Sequence, residues 1–193
     1  TGLDGGGFVV NWASSPQQDE PEVIYLQLYD NSSNPIGLEI TLNPTTGFNY
    51  RSEVTSLKDG GFLVTWHGGD DRSDMSESFS VYGQRYDGSG GAVGTQFEVN
   101  TYTLNHQVNP SATSLSNGGF VVTWDSYFQD GSYNGVYGQL YDNLGSLVFS
   151  EFMVNTNTSG NQEYSAVTSL MDGGFVVIWT GSDLHQGVYG QLF

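Results

Sequence analysis

The sequence predicts an all-β protein, a β-propeller or propeller-like array of four four-stranded antiparallel blades whose terminal blades are incomplete. Three observations predict it. A Gly-Gly-Phe-aliphatic-aliphatic-x-Trp segment occurs four times, as Phe8 to Trp12, Phe62 to Trp66, Phe120 to Trp124 and Phe175 to Trp179, and contains all four tryptophans. A Tyr-x-Gln-x-aromatic segment follows each, carrying Gln27, Gln84, Gln139 and Gln191. The phenylalanines are 54, 58 and 55 residues apart, so one supersecondary unit recurs in tandem.

Within a unit, apolar and polar residues alternate with period two, as in Ser165 to Leu170, and helical periodicity is absent. This alternation gives a first strand. Asp59-Gly60-Gly61, Asn117-Gly118-Gly119 and Asp172-Gly173-Gly174 then supply a hairpin turn, because Gly and Asn or Asp accept positive φ. The Gly-Gly-Phe strand is second. After a loop of variable length comes the Tyr-x-Gln strand, then turns such as Asp87 to Gly91. Gln96 to Asn100 and Glu151 to Asn155, and more loosely Leu38 to Asn43, form the fourth strand. The units run over approximately 1–50, 51–108, 109–163 and 164–193 of a single repeat domain. Thr1 aligns with Thr55, Thr113 and Thr168 inside the first strand, and Phe193 aligns with the end of the third. The first unit is therefore expected to lack its first strand and the last unit its fourth, as in a segment of a longer chain.

Composition narrows the function. Twenty-one acidic against four basic residues give a formal charge of −17, which repels phosphate backbones and anionic headgroups, so no nucleic-acid partner is expected. No apolar run approaches the length that crosses a bilayer, so no membrane insertion is expected either. Cysteine is absent, which removes disulfides and thiolate metal sites. Such an acidic surface reads as extracellular or cell-surface.

Residues repeated in every unit read as architectural. Trp12, Trp66, Trp124 and Trp179, with Phe8, Phe62, Phe120 and Phe175, are expected to fill the space between blades. The four strand glutamines are expected to hydrogen-bond the backbone of a connecting segment, since a buried amide needs partners. The alternative for the tryptophans is sugar stacking at the strand ends. Individuality lies in the loops after the tryptophans, where carboxylates with Gly and Ser neighbours suit calcium, a cofactor reading that falls on Asp70, Asp71, Asp74, Asp125 and Asp130. His67, His106 and His185 occupy different places in their units, which argues against zinc. No nucleophile motif stands out, so no catalytic residue is assigned.

The phrases Gly-Gly-Phe-Val-Val-x-Trp, Val-Tyr-Gly-Gln-x-Tyr-Asp and Phe-x-Val-Asn-Thr resemble tandem repeats of large bacterial secreted proteins of the RTX, hemolysin-type calcium-binding and adhesin-like kind. The resemblance implies an exported protein with calcium in its surroundings. The Gly-Gly-x-Gly-x-Asp array of such proteins is missing here, so their calcium-roll motif transfers to no residue. The resulting expectation is a non-catalytic structural or interaction module of a secreted or cell-surface bacterial protein, adhesion-related and not an enzyme. Its partners would be the rest of its own chain, a surface glycan or protein, or an oligomer of arcs. The alternatives are a carbohydrate-binding, lectin-like propeller and, third, a glycoside hydrolase.

Overall fold

The structure, a computed structural model, describes residues 1–15, 22–42, 48–69, 78–182 and 186–193. Every strand pair in it is antiparallel, and the strands form four separate sheets, each a simple up-and-down meander. The first sheet comprises β1 (Phe8–Ser14), β2 (Val23–Tyr29) and β3 (Pro35–Leu42). The second comprises β4 (Phe48–Ser56), β5 (Phe62–Gly69), β6 (Ser80–Tyr86) and β7 (Ala92–Glu98). The third comprises β8 (Gln107–Ser114), β9 (Phe120–Tyr127), β10 (Asn134–Tyr141) and the short β11 (Phe152–Met153). The fourth comprises β12 (Asn161–Ser169), β13 (Phe175–Ser182) and β14 (Gln186–Leu192). The unit boundaries read from sequence at 51, 109 and 164 fall inside β4, β8 and β12, so each sheet begins earlier, at Phe48, Gln107 and Asn161.

The Gly-Gly turns owe their chemistry to two different constraints. Gly60 has φ 85° and closes the turn through its N–H to the Leu57 carbonyl, whereas a Cβ on Gly61 would collide with the Tyr86 carbonyl of the third strand. The first position needs the left-handed conformation and the second needs the missing side chain. Beyond the turn, register places Phe62 opposite Tyr86 and Trp66 opposite Tyr82, with ring centroids 5.1 and 5.8 Å apart. Phe8 with Tyr29, Phe120 with Tyr141 and Phe175 with Phe193 repeat the stack at 4.7–4.9 Å.

Three cores lie between successive sheets. Phe62, Val64 and Trp66 of β5 pack on Val9, Ile24, Leu26 and Leu28 of the first sheet. Phe120, Val122 and Trp124 of β9 pack on Leu63 and Val81 of the second. Phe175, Val177 and Trp179 of β13 pack on Val121 and Val136 of the third. Each Phe-Val-Trp face thus covers the opposite face of the preceding sheet. Trp66 and Trp124 are fully buried and Trp179 is 6% exposed, but Trp12 is 37% exposed, with no described sheet packed on its face. Trp12 therefore departs from the expectation for the four tryptophans. At the other end Ile178, Val188 and Leu192 are 47, 73 and 67% exposed, with no described sheet packed on them.

Polar side chains tie these elements together. The indole N–H groups of Trp124 and Trp179 donate to Gln107 and Gln162 at 3.2 and 2.9 Å. Gln27, Gln84 and Gln139 donate to carbonyls of their own strand and to Ile36, Val93 and Phe149 in or beside the fourth strand, while Gln191 reaches Leu192. Asp30, Asp87 and Asp142 each accept backbone N–H groups two and four residues onward, stapling the turn after the third strand. Asn100 and Asn155 accept the N–H groups of Val81 and Val136.

Candidate functional site

Among the first strands β4, β8 and β12, β8 lies against both of the others, with β1 beside β4. All three carry a β-bulge at the same point of the repeat, between Tyr50 and Glu53, Val108 and Ser111, and Glu163 and Ala166. At each bulge a residue other than glycine takes positive φ: Arg51 at 47°, Asn109 at 56° and Tyr164 at 58°. Bulges re-aim side chains and interrupt pairing, and left-handed backbone at such residues is uncommon. The freed backbone N–H groups find partners across the sheet boundary. That of Asn109 donates to His67 Nδ1 at 3.3 Å, and that of Tyr164 donates to both carboxyl oxygens of Asp125 at 3.0 Å. His67 and Asp125 occupy one repeat position, the residue after the buried tryptophan.

The bulges open a cavity of about 550 Å³, lined by Glu22, Tyr50, Arg51, His67, Phe79, Val108, Asn109, Tyr127 and Tyr164. Its walls are aromatic, and Arg51 Cζ lies 5.9 Å from the centre of the Tyr164 ring. His67 and His106 both pack against Phe79, with centroids 6.0 and 5.0 Å away. Burial first, then the charges of Arg51 and His106, push the His67 imidazole down to about 4, so it is neutral at physiological pH.

Asp125 is 1% exposed and lies behind this mouth. It also accepts Asn109 Nδ2 at 2.7 Å. Burial pushes its carboxyl up to about 7 and the charge of Glu163 adds to the rise, against the lowering pull of its hydrogen bonds to Asn109, Tyr164 and Ser165. Glu163 accepts Asn134 Nδ2 at 3.0 Å and borders a second cleft of about 610 Å³ on the outer side of the fourth sheet, with Tyr164, Thr180 and Val188. A third cavity of about 310 Å³ is lined by residues of β4 and β8, among them Glu53, whose carboxyl is raised by burial.

Of the residues proposed for calcium, Asp70, Asp71 and Asp74 lie outside the described residues. Asp125 does not fit a calcium ligand in this arrangement: the N–H groups of Asn109 and Tyr164 point at its oxygens and would point their positive ends at a cation. Asp130 Oδ1 accepts the Ser132 N–H at 2.9 Å, and its Oδ2 is buried with no hydrogen-bond partner. Among the described residues no group of three or more His, Asp or Glu is placed to hold a metal ion. His185 lies outside the described residues.

The strongest positions here, Arg51, His67, Asn109, Asp125 and Tyr164, were not grouped by sequence reasoning. The available signal was variation inside otherwise repeated segments: Ala13, His67, Asp125 and Thr180 follow the four tryptophans, and Arg51, Asn109 and Tyr164 interrupt the first strands at one alignable place. Three tryptophans are buried between sheets and cannot offer a face to a sugar; the aromatic faces at the mouth belong to tyrosines and Phe79.

No family model and no curated protein matches the chain. Solved structures do share its fold. A protein of unknown function from Dyadobacter fermentans aligns over 100% of this chain and 63% of its own, with TM-score 0.68 and 13% identity. The chain thus spans less than two thirds of that protein. An endo-arabinase from Bacteroides thetaiotaomicron aligns over 97% of this chain and 70% of its own, with TM-score 0.56 and 13% identity. An α-L-arabinofuranosidase from Lactobacillus brevis aligns over 100% and 70%, with TM-score 0.55 and 11% identity. The expectation of a non-catalytic structural or adhesion module, and with it the expectation of no enzyme, is overturned by this finding. The chain has a propeller-like all-β fold that glycoside hydrolases also use.

Proposed function

We propose that the chain is part of a carbohydrate-active protein of the glycoside-hydrolase kind, with the sugar held in the mouth between the bulged strands. The mouth itself carries this reading. Tyr50, Tyr127 and Tyr164 offer rings for the apolar faces of a sugar, and Asn109, His67 and Arg51 supply polar groups that match hydroxyls. Likeness in fold to the endo-arabinase and the arabinofuranosidase supports it.

Hydrolysis of a glycosidic bond needs one carboxyl to give a proton and a second to act as base or nucleophile, with environments that separate their pKa values. Asp125, raised to about 7 behind the mouth, suits the acid, and Glu163, whose charge acts on it and which borders the adjoining cleft that shares Tyr164 with the mouth, suits the second role for a sugar that reaches past Tyr164. Reducing-end release from arabinan, together with cleavage of an aryl arabinofuranoside, tests the proposal. The intact protein should turn over at least one of these substrates, D125N and E163Q should each lose at least about a hundredfold in rate, and Y164A should raise KM. Absence of both turnover and sugar binding in the folded protein would defeat it. One observation favours a second reading, binding without cleavage: the Asp125 oxygens are already engaged by protein N–H groups. That reading expects binding lost in Y164A but no turnover.

In the same reading the sheets are consecutive blades of a propeller. The open Phe-Val-Trp face of the first sheet and the open Ile178, Val188 and Leu192 face of the fourth are the two halves of the interface made three times inside the chain. Further repeat-bearing chain seated between them would complete a ring.

A further inference from the structure

We infer that the mouth selects a sugar bearing a carboxylate, a uronic acid, and that Arg51 is the residue that selects it; this rests on the carbohydrate reading of the same site. The chain has four basic residues in all. Of these, Lys58 pairs with Asp4 at 3.9 Å and Arg85 with Asp59 at 2.9 Å, while Arg72 lies outside the described residues. Arg51 forms no ion pair among the described residues, even though Glu22 lines the same cavity. On a chain with a formal charge of −17, a guanidinium without a carboxylate partner among the described residues is conspicuous.

The placement of Arg51 also restricts what it can serve. Its backbone sits at φ 47° in the bulge of β4, a conformation that an arginine adopts at a cost and that turns the residue toward the neighbouring sheets. The guanidinium lies against the Tyr164 ring contributed by the fourth sheet, which restricts its freedom and leaves its forked donors to an incoming group. Asn109 stands between these two on the middle sheet of the three. A sugar ring stacked on a mouth tyrosine would bring an exocyclic C5 substituent within reach of a planar cation; a hydroxymethyl group gains one neutral hydrogen bond there, whereas a carboxylate gains a bidentate, charge-assisted pair. The approach of an anion to so acidic a molecule is opposed at long range, so a net preference must come from this local contact.

Calorimetric titration with trigalacturonate and, separately, with arabinotriose decides the matter on wild type, R51Q, R51K and Y164A, with K58Q as a surface control. Trigalacturonate is expected to bind about tenfold or more tighter than arabinotriose, the size of one charge-assisted contact. R51Q should abolish the preference, weakening trigalacturonate about tenfold more than it weakens arabinotriose, and R51K should keep only part of it because an ammonium cannot make the forked contact. Y164A should weaken both sugars and K58Q neither. Equal affinities, a preference for arabinotriose, or a preference that survives in R51Q would overturn the inference and leave the carbohydrate reading standing. Failure of the folded protein to bind either sugar would overturn both.

Discussion

At Gly61, Gly119 and Gly174 the missing side chain is a packing requirement, because the carbonyl of Tyr86, Tyr141 or Phe193 occupies the place of a Cβ. Substituting alanine at Gly119 is expected to force the third strand of its sheet outward and to cost about 1–3 kcal/mol, read from denaturant midpoints. The turn glycines were legible in sequence, but this second reason for them was not, since it depends on a strand two elements away. The same holds more strongly for Asp125 and His67. A carboxyl raised to about 7 keeps its proton in the native state where the unfolded chain has lost it, so its contribution to stability falls as pH rises from about 4 to about 7. An imidazole lowered to about 4 does the reverse: the unfolded chain binds the proton first, and stability falls as pH drops from 6.5 toward 4. The two slopes oppose each other over most of one window. Relative to wild type, D125N should therefore gain stability as pH rises through it, and H67Q should gain stability as pH falls, each by up to about 1.4 kcal/mol per pH unit. Thermal melts between pH 4 and 7 would show these opposite trends, and parallel curves for wild type and variants would refute the assignment.

The alternation of the strands and the repeated turns made the antiparallel sheets readable, including the three-stranded first and fourth sheets. The site was not readable from them. A bulge flips the alternation for a residue or two, and in β4, β8 and β12 that break looks in sequence like ordinary noise around Arg51, Asn109 and Tyr164. Nor does sequence tell which tryptophan is covered. W124A removes a fully buried ring with its indole bonded to Gln107 and should cost about 3–5 kcal/mol, whereas W12A, on the open face, should cost well under half of that. Equal losses in equilibrium unfolding would mean that the Trp12 face is covered in solution. Q107L leaves the Trp124 N–H without its acceptor and should cost about 1–3 kcal/mol with little change in compactness.

For the whole molecule, the formal charge of −17 opposes the approach of phosphate backbones at long range, and no helix among the described residues is long and apolar enough to cross a membrane. Composition also drew attention to the acidic loops and away from the mouth, whose lining groups include one arginine, one neutral histidine and three tyrosines. A formal charge of −17 on 193 residues predicts a further, global behaviour: self-repulsion should lower the melting temperature at low ionic strength, with recovery in monovalent salt as the charges are screened. A melting temperature that does not move between about 0.01 and 0.15 M salt would count against it, since the screening length changes from roughly 30 to 8 Å over that range. The recurrence of one interface three times carries a different liability, which concerns the route to the native state. A Phe-Val-Trp face that fits its own neighbour nearly fits every other sheet, so a refolding chain can dock a sheet out of order or capture one from another molecule. Two of the unlike residues after the tryptophans, His67 and Asp125, then act as address labels: each accepts the backbone N–H of one bulge in the following sheet, that of Asn109 or of Tyr164, and a wrongly docked sheet leaves the label unread.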